Sequence, residues 1–450
     1  MKNRIKKAVD FGNDDIFKIL IRLAPPIMLA QLIQALYNII DSYFIGKYSE
    51  SGLTALSIVY PLQLLMIALA VGTGVGINTL MAHFLGIGRK KESRDIAGMG
   101  TFLALISWLL FALISYFVMP FYARISTNSQ VIIKDVVTYG TVVSVFSMGL
   151  FFESMWSKIL QAYGNMSLPM VAQIIGAIIN IIVDPLLIFG YGIFPEMGIC
   201  GAAIATVLGQ IAAALIVMTK GYYVSPKFKI YKKYLKNIYF LGFPNMLMQS
   251  AYTFYIMGLN LILKGFSDQA VTVLGLYYKW QTFFFIPLGA MQTCIIPVLS
   301  YNYSAGLHKR CKKTLYDSII FGVLFMLLGV LFFECIPAPM LSIFSKDKEV
   351  IRIGKIAFRI IGISFIPLVT SLIYPVFFQA IGSSVSSSFL TVLRTVVLFV
   401  PLAYIFSRIS LDFFWLTYPI TEIITTITGF ILYKKYEKKY ILQVNTGKKQ

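Results

Sequence analysis

Apolar stretches of about 20 residues recur from one end of this chain to the other, and that recurrence decides the solvent in which it can fold. Helical spans are read near 17–46, 53–84, 96–120, 131–160, 165–190, 197–219, 235–263, 271–300, 314–336, 350–381, 384–407 and 413–433, about twelve crossings. With 58% hydrophobic and 13% charged residues over 450 positions, the chain holds more apolar side chain than one soluble core can bury. In hydrocarbon every backbone N–H and C=O needs an internal partner, so the predicted class is an all-α integral membrane protein. The first run is too long for a signal peptide. It carries Pro25, Pro26, Gln31 and Gln34 where a small-residue cleavage site would be needed, so it is read as a retained first span.

The net charge of +20 would raise the question of nucleic acid in a soluble chain, yet here the basic residues fall in every second loop. Lys2, Arg4, Lys6 and Lys7 precede the first span, and Arg89, Lys90, Lys91 and Arg94 separate the second from the third. Lys227, Lys229, Lys232, Lys233 and Lys236 fill the central connection. Lys309, Arg310, Lys312 and Lys313 follow the eighth span, and Lys434, Lys435, Lys438 and Lys439 begin the tail. Twelve crossings put all of these on one side, whereas the opposite loops hold only Lys47, Arg124, Lys134, Lys264 and Arg408 and a mixed cluster from Lys346 to Lys355. The positive-inside rule then predicts a multi-pass cell-membrane protein with both termini cytoplasmic, its basic surfaces facing solvent or lipid headgroups and no nucleic-acid partner. Cys200, Cys294, Cys311 and Cys335 show neither short paired spacings nor companion histidines, so neither a disulfide nor a resident metal is expected.

A repeat organises the spans. At an offset of 244 − 26 = 218 residues, Pro26 meets Pro244, Met28 meets Met246, Gln31 meets Gln249 and Tyr37 meets Tyr255. The same offset pairs Leu56 with Leu274, Tyr60 with Tyr278, Gln63 with Gln281, Gly88 with Gly306, and Gln161-Ala162-Tyr163-Gly164 with Gln379-Ala380-Ile381-Gly382. The chain is therefore read as two six-helix parallel repeats, an N-lobe over 1–225 and a C-lobe over 226–450, linked by the Lys-rich stretch around Pro226. Parallel repeats related by an axis along the membrane normal are the arrangement in which transporters alternate access.

Two polar stripes carry the chemistry. Gln34, Tyr37, Asn38 and Asp41 fall at i, i+3, i+4 and i+7 on the first span; Gln173, Ala177, Asn180 and Asp184 fall at i, i+4, i+7 and i+11 on the fifth. A carboxylate at such depth costs roughly 2.5–3.5 kcal/mol to insert, so it faces a bundle interior or a wet cavity and marks an ion or substrate path. Pro185 should disfavour helical geometry at Asp184 and leave the Ile181 carbonyl without its usual donor. Acid, amide, carbonyl and the Thr206 hydroxyl make a set of hard oxygen ligands, suited to Na⁺ or a proton. Glu153 and Lys158, toward the end of the fourth span, are read as structural residues near the interface. Glu422, Lys279 and Arg394 are read as a charge group paired within the C-lobe, and Pro287, Pro297, Pro367 and Pro375 as kinks.

Together the segment from Tyr37 to Gly46 (YNIIDSYFIG), the run Asn180 to Pro185 (NIIVDP) and Gly201 to Thr206 (GAAIAT) resemble the multidrug and toxic compound extrusion (MATE) family, over essentially the whole chain. The resemblance implies a cation-coupled antiporter that expels organic cations, with Asp41, Asn180, Asp184 and Thr206 as the cation site of the N-lobe. Gln34 and Tyr37 would line the adjoining cavity, and Asn38, Gln249 and Tyr252 are also read as cavity residues. One branch of the family carries further acids on the seventh and tenth spans. This chain has none there, and the 218-residue counterpart of Asp41 is Leu259, so coupling is expected in the N-lobe alone.

The expected partners are small organic cations and the bilayer, the expected state a monomer, and no cofactor is required beyond Na⁺ or H⁺ as coupling ion. The other transport reading is a flippase or exporter of lipid-linked or anionic glycans, in which Lys279 and Arg394 would serve phosphate groups. No metal cluster, nucleophile motif or sizeable soluble domain supports an enzyme.

Overall fold

The computed structural model describes residues 9–445, with side chains to residue 438. Lys2, Arg4, Lys6, Lys7 and the side chain of Lys439 lie outside the described residues. The first half runs α1 (Ile16–Tyr48), α2 (Glu50–Gly86), α3 (Lys90–Ser126), α4 (Gln130–Val145), α5 (Met148–Ala162), α6 (Ser167–Phe189) and α7 (Ile199–Gly221). The second runs α8 (Phe228–Lys264), α9 (Asp268–Phe284), α10 (Ile286–Ser304), α11 (His308–Cys335), the short α12 (Pro337–Ser342), α13 (Lys348–Ile363), α14 (Phe365–Ala380) and α15 (Ser384–Val392). A π-helical stretch (Leu393–Phe399), α16 (Val400–Ser407), α17 (Leu411–Trp415) and α18 (Thr417–Asn445) complete it.

Among the described residues, nine helices are long and apolar enough to cross a membrane, and twelve crossings result if each of three bent pairs counts as one. Those pairs are α4 with α5 (41°), α9 with α10 (51°) and α13 with α14 (51°). Each bend has a local cause. Pro287 and Pro367 stand just after two of the breaks and withhold the N–H that would continue the ladder. At the third, the Ser147 hydroxyl donates to the Ser144 carbonyl (2.7 Å), competing with the helix. Pro297 and Pro375, by contrast, sit inside the uninterrupted α10 and α14.

Polarity is distributed as lipid requires. Large apolar side chains face outward along the spans, as with Phe117 on α3 (70% exposed) and Leu261 on α8 (72%), while Asp41, Asn78, Asn180, Asp184 and Glu422 are buried. The repeat reappears in the backbone. Gly88 and Gly306, and Gly164 and Gly382, all adopt positive φ (78°, 74°, 76° and 82°). Each closes a helix by the same device, the following N–H reaching five residues back: Arg89 to Phe84 and Leu307 to Asn302 (both 2.8 Å), Asn165 to Leu160 (3.0 Å), Ser383 to Phe378 (2.8 Å).

Packing divides the chain into two compact units, the first comprising the chain through Ser250 with Ser300–His308, the second Ala251–Leu299 with Lys309 onward. In the first, α6 and α7 approach on glycines: a Cβ at Gly176 would lie 2.7 Å from the Gly209 carbonyl oxygen, and one at Gly209 2.6 Å from that of Gly176. Lys158 lies along α2, its stem 2.8 Å from where a Cβ on Gly74 would stand, and its carbonyl accepts from Asn78 Nδ2 (2.8 Å). Its ammonium donates to Gln161 Oε1 (3.1 Å) near the end of α5.

The second unit has an aromatic core around Phe333, stacked on Phe358 at 4.6 Å, with Phe365 and Tyr277 at its edges. In it Arg394, on the π-helical stretch, clamps Glu422 of α18 through Nε (3.1 and 3.0 Å) and Nη2 (2.6 Å), and Ser371 donates to the same carboxylate. Lys279 stands apart, exposed, with its ammonium 5.0 Å from the Phe344 ring centre.

Candidate cation site and adjoining cavity

Asp41 and Asp184 reach each other from α1 and α6, their carboxyl groups within hydrogen-bonding reach. α6 stays helical through Asp184 and Pro185 to its left-handed cap at Gly190 (φ 72°), so the expected local unwinding does not occur. Pro185 still has no N–H to offer the Ile181 carbonyl. One turn before Asp184, the Asn180 amide donates to Asp184 Oδ1 (3.4 Å) and to Thr206 Oγ1 of α7 (3.5 Å). Both contacts are long for hydrogen bonds, so the amide is loosely held. The α6–α7 glycine contact makes this meeting possible, because Gly209 also faces the Asn180 Cβ at 3.3 Å from its own virtual Cβ.

All four residues proposed for the cation are buried, and they are acceptor-rich. Asp41 Oδ1, Asn180 Oδ1 and Asp184 Oδ2 are buried oxygens without a hydrogen-bond donor. Such groups are costly to strand, and two carboxylates at close range repel in a low-dielectric interior unless a proton or cation lies between them. The donor set therefore fits a hard monovalent cation or a proton. Among the described residues, no group of three or more His, Cys, Asp or Glu side chains could hold a metal.

Beside the acids is a cavity enclosing about 580 Å³ of space free of protein atoms, part of it open to solvent. Gln34 and Tyr37 of α1 line it, as do Asn180 and Thr206, which thus face both cavity and acid pair. Asp41 and Asp184 do not line it, and neither do Asn38, Gln249 or Tyr252. Asn38 is exposed on α1, Gln249 donates to Asn245 Oδ1 (2.8 Å), and Tyr252 packs edge-on against Tyr255 (5.3 Å).

Glu153, Gln173 and Gln210 complete the polar lining. Glu153 was not among the residues singled out for chemistry by their spacing, because its position near the end of a span resembled an interfacial one. Its neighbours Ser157 on α5 and Gln173 on α6 were the available signal.

Substituting Gly209 with Ala should push α6 and α7 apart, at a cost of about 1–3 kcal/mol for an overpacked contact. The purified protein in detergent should melt lower and transport less, whereas Gly275→Ala, with nothing within 4 Å of its virtual Cβ, should leave both unchanged. Equal behaviour of the two variants would dissociate the glycine contact from the site.

The MatE family model matches residues 26–186 and 244–405, two copies in one chain. The chain is 26% identical to a FAD transporter of Shewanella oneidensis, over 93% of this chain and 94% of that protein. It is 22% identical to the multidrug export protein MepA of Staphylococcus aureus, over 89% of each, and 25% identical to a probable multidrug resistance protein NorM of Thermotoga maritima, over 78% and 76%. In fold it is similar to a MOP superfamily transporter from Pyrococcus furiosus, with a TM-score of 0.89 at 23% identity, covering 97% of this chain and 99% of that one. An outward-facing multidrug resistance transporter of the MATE family gives the same TM-score at 22% identity over 97% and 99%. With its duplicated helical bundle, its inward polar groups and these matches, the chain is a multi-pass membrane transporter that belongs to the MatE family.

Proposed function

We propose that this transporter is a Na⁺- or H⁺-coupled antiporter that exports organic cations by alternating access between an N-lobe (1–225) and a C-lobe (226–450). It works as a monomer with both termini cytoplasmic. The observation that carries the proposal is the cluster of stranded acceptors on Asp41, Asn180 and Asp184. A cation or proton arriving from outside compensates the acid pair, and Asn180 and Thr206, shared with the cavity, transmit that change to the substrate. Ion and substrate each favour a different arrangement of the same wall, so each promotes release of the other.

The relative from Shewanella oneidensis named as a FAD transporter favours a second reading, export of an anionic cargo. Against it, the cavity lining contains a carboxylate and no Lys or Arg, and Arg394 is already paired with Glu422. Proteoliposomes given separate Na⁺ and pH gradients, loaded in parallel with a fluorescent organic cation and with FAD, test both. Gradient-dependent efflux of the organic cation supports antiport and identifies the ion. Efflux of FAD alone sinks the cation reading.

A further inference from the structure

We propose that Glu153 is the residue on which a substrate seats its positive charge, and that the site takes cations bearing N–H donors, such as amidinium, guanidinium or protonated amines, in preference to quaternary ammonium. The inference rests on the reading of the protein as an exporter of organic cations, and it moves the substrate's counter-charge away from the acid pair. Among the residues lining the cavity, Glu153 carries the one carboxylate; Asp41 and Asp184 are not part of that surface. The Glu153 carboxylate is also held in place. Ser157 Oγ (2.8 Å) and Gln173 Nε2 (3.3 Å) both donate to its Oε1, which fixes the group's orientation while partial exposure keeps it open to the cavity. A preorganised carboxylate of this kind accepts a charge-assisted, two-pronged hydrogen bond from a planar N–H cation.

The surroundings narrow the ligand class further. Gln34, Gln173, Gln210 and Asn180 give the wall a row of carboxamides, and Gln210 Oε1 is a buried acceptor with no donor. A ligand N–H would satisfy it. Quaternary ammonium ions bring no N–H and are recognised by aromatic faces, of which this lining offers Tyr37 alone. The division of labour follows: Glu153 with its amides reads the substrate, Asp41 with Asp184 reads the ion, and Asn180 touches both.

Binding of benzamidinium and of phenyltrimethylammonium, two aromatic monocations of similar size, to the purified protein in detergent tests this. Wild-type protein should bind benzamidinium about 10- to 100-fold more tightly than the quaternary ion, and E153Q should lose about that factor for benzamidinium, the range of a hydrogen bond to a charged group. Q210L should weaken benzamidinium by about twofold to tenfold, the range of a neutral hydrogen bond. Unchanged affinity in E153Q overturns the proposal, as does equal affinity for the two ligands, or no binding of benzamidinium to wild type. If E153Q does not yield folded protein by thermal melting, Q210L decides, and full binding there counts against the site. Failure of the antiport reading is distinguishable, because gradients would then drive no efflux while the E153Q effect on binding persisted.

Discussion

Asp41→Asn should abolish concentrative efflux while leaving the protein folded. The substitution keeps the size of the side chain and removes the charge that a coupling ion must compensate. Asp184 is left with an amide neighbour in place of a carboxyl within hydrogen-bonding reach. With one-for-one exchange and a tenfold ion gradient, wild-type protein can sustain a substrate ratio approaching about tenfold, or ~1.4 kcal/mol. The variant should relax to equal concentrations on both sides. Asp184→Asn should behave alike, whereas Leu259→Met, a volume-conserving change at the buried counterpart position of the second repeat, should leave the ratio intact. Proteoliposome efflux of a fluorescent cation measures this, and a D41N protein that still pumps uphill would remove Asp41 from the coupling site.

The second large effect belongs to stability. Glu422→Leu should destabilise the second unit by about 3–5 kcal/mol, because it leaves the Arg394 guanidinium buried without its carboxylate. The pair is almost wholly enclosed, with side-chain exposures of 8% for Arg394 and 0% for Glu422, so solvent offers little relief. Ser371 would be left with the Leu368 carbonyl as its acceptor. Replacing both partners, as Arg394→Met with Glu422→Leu, should recover most of the loss, since an apolar pair of similar volume carries no desolvation cost. Thermal unfolding in detergent separates the outcomes, and a single variant as stable as wild type would mean the guanidinium finds another partner.

These effects also show which parts of the molecule were legible in the chain. Span number and the two-fold repeat could be read because both depend on properties that one dimension records, apolar length and residue identity at a constant offset. The glycine pairs at 88 and 306 and at 164 and 382 belong here, since each must supply a left-handed cap. The fate of the prolines was less legible. Pro287 and Pro367 accompany bends near 51°, whereas Pro185, Pro297 and Pro375 are carried inside continuous helices. Whether a helix breaks depends on neighbours able to hold it straight, and a local rule does not contain them. The π-helical turn that presents Arg394 left no sequence signal of its own.

Within the candidate site, the stripes pointed to Asp41 on α1 and to Asn180 and Asp184 on α6, because helical spacing puts each set on one face of its own helix. Glu153 escaped for the converse reason. Its meaning comes from a cavity shared by α1, α5, α6 and α7, and its own helix offered only a charge near a span end. The same limit applies to Asn38, which shares a stripe with Gln34 and Asp41 yet is absent from the cavity lining that Gln34 joins.

Coupled ion movement is the most direct test of the central claim. In proteoliposomes with no imposed ion gradient, an outward gradient of substrate should by itself drive Na⁺ or H⁺ the other way, recorded with a sodium tracer or a trapped pH dye. The ion flux should start with substrate addition and vanish in D41N. Substrate movement through wild-type protein with no accompanying ion movement would contradict the account.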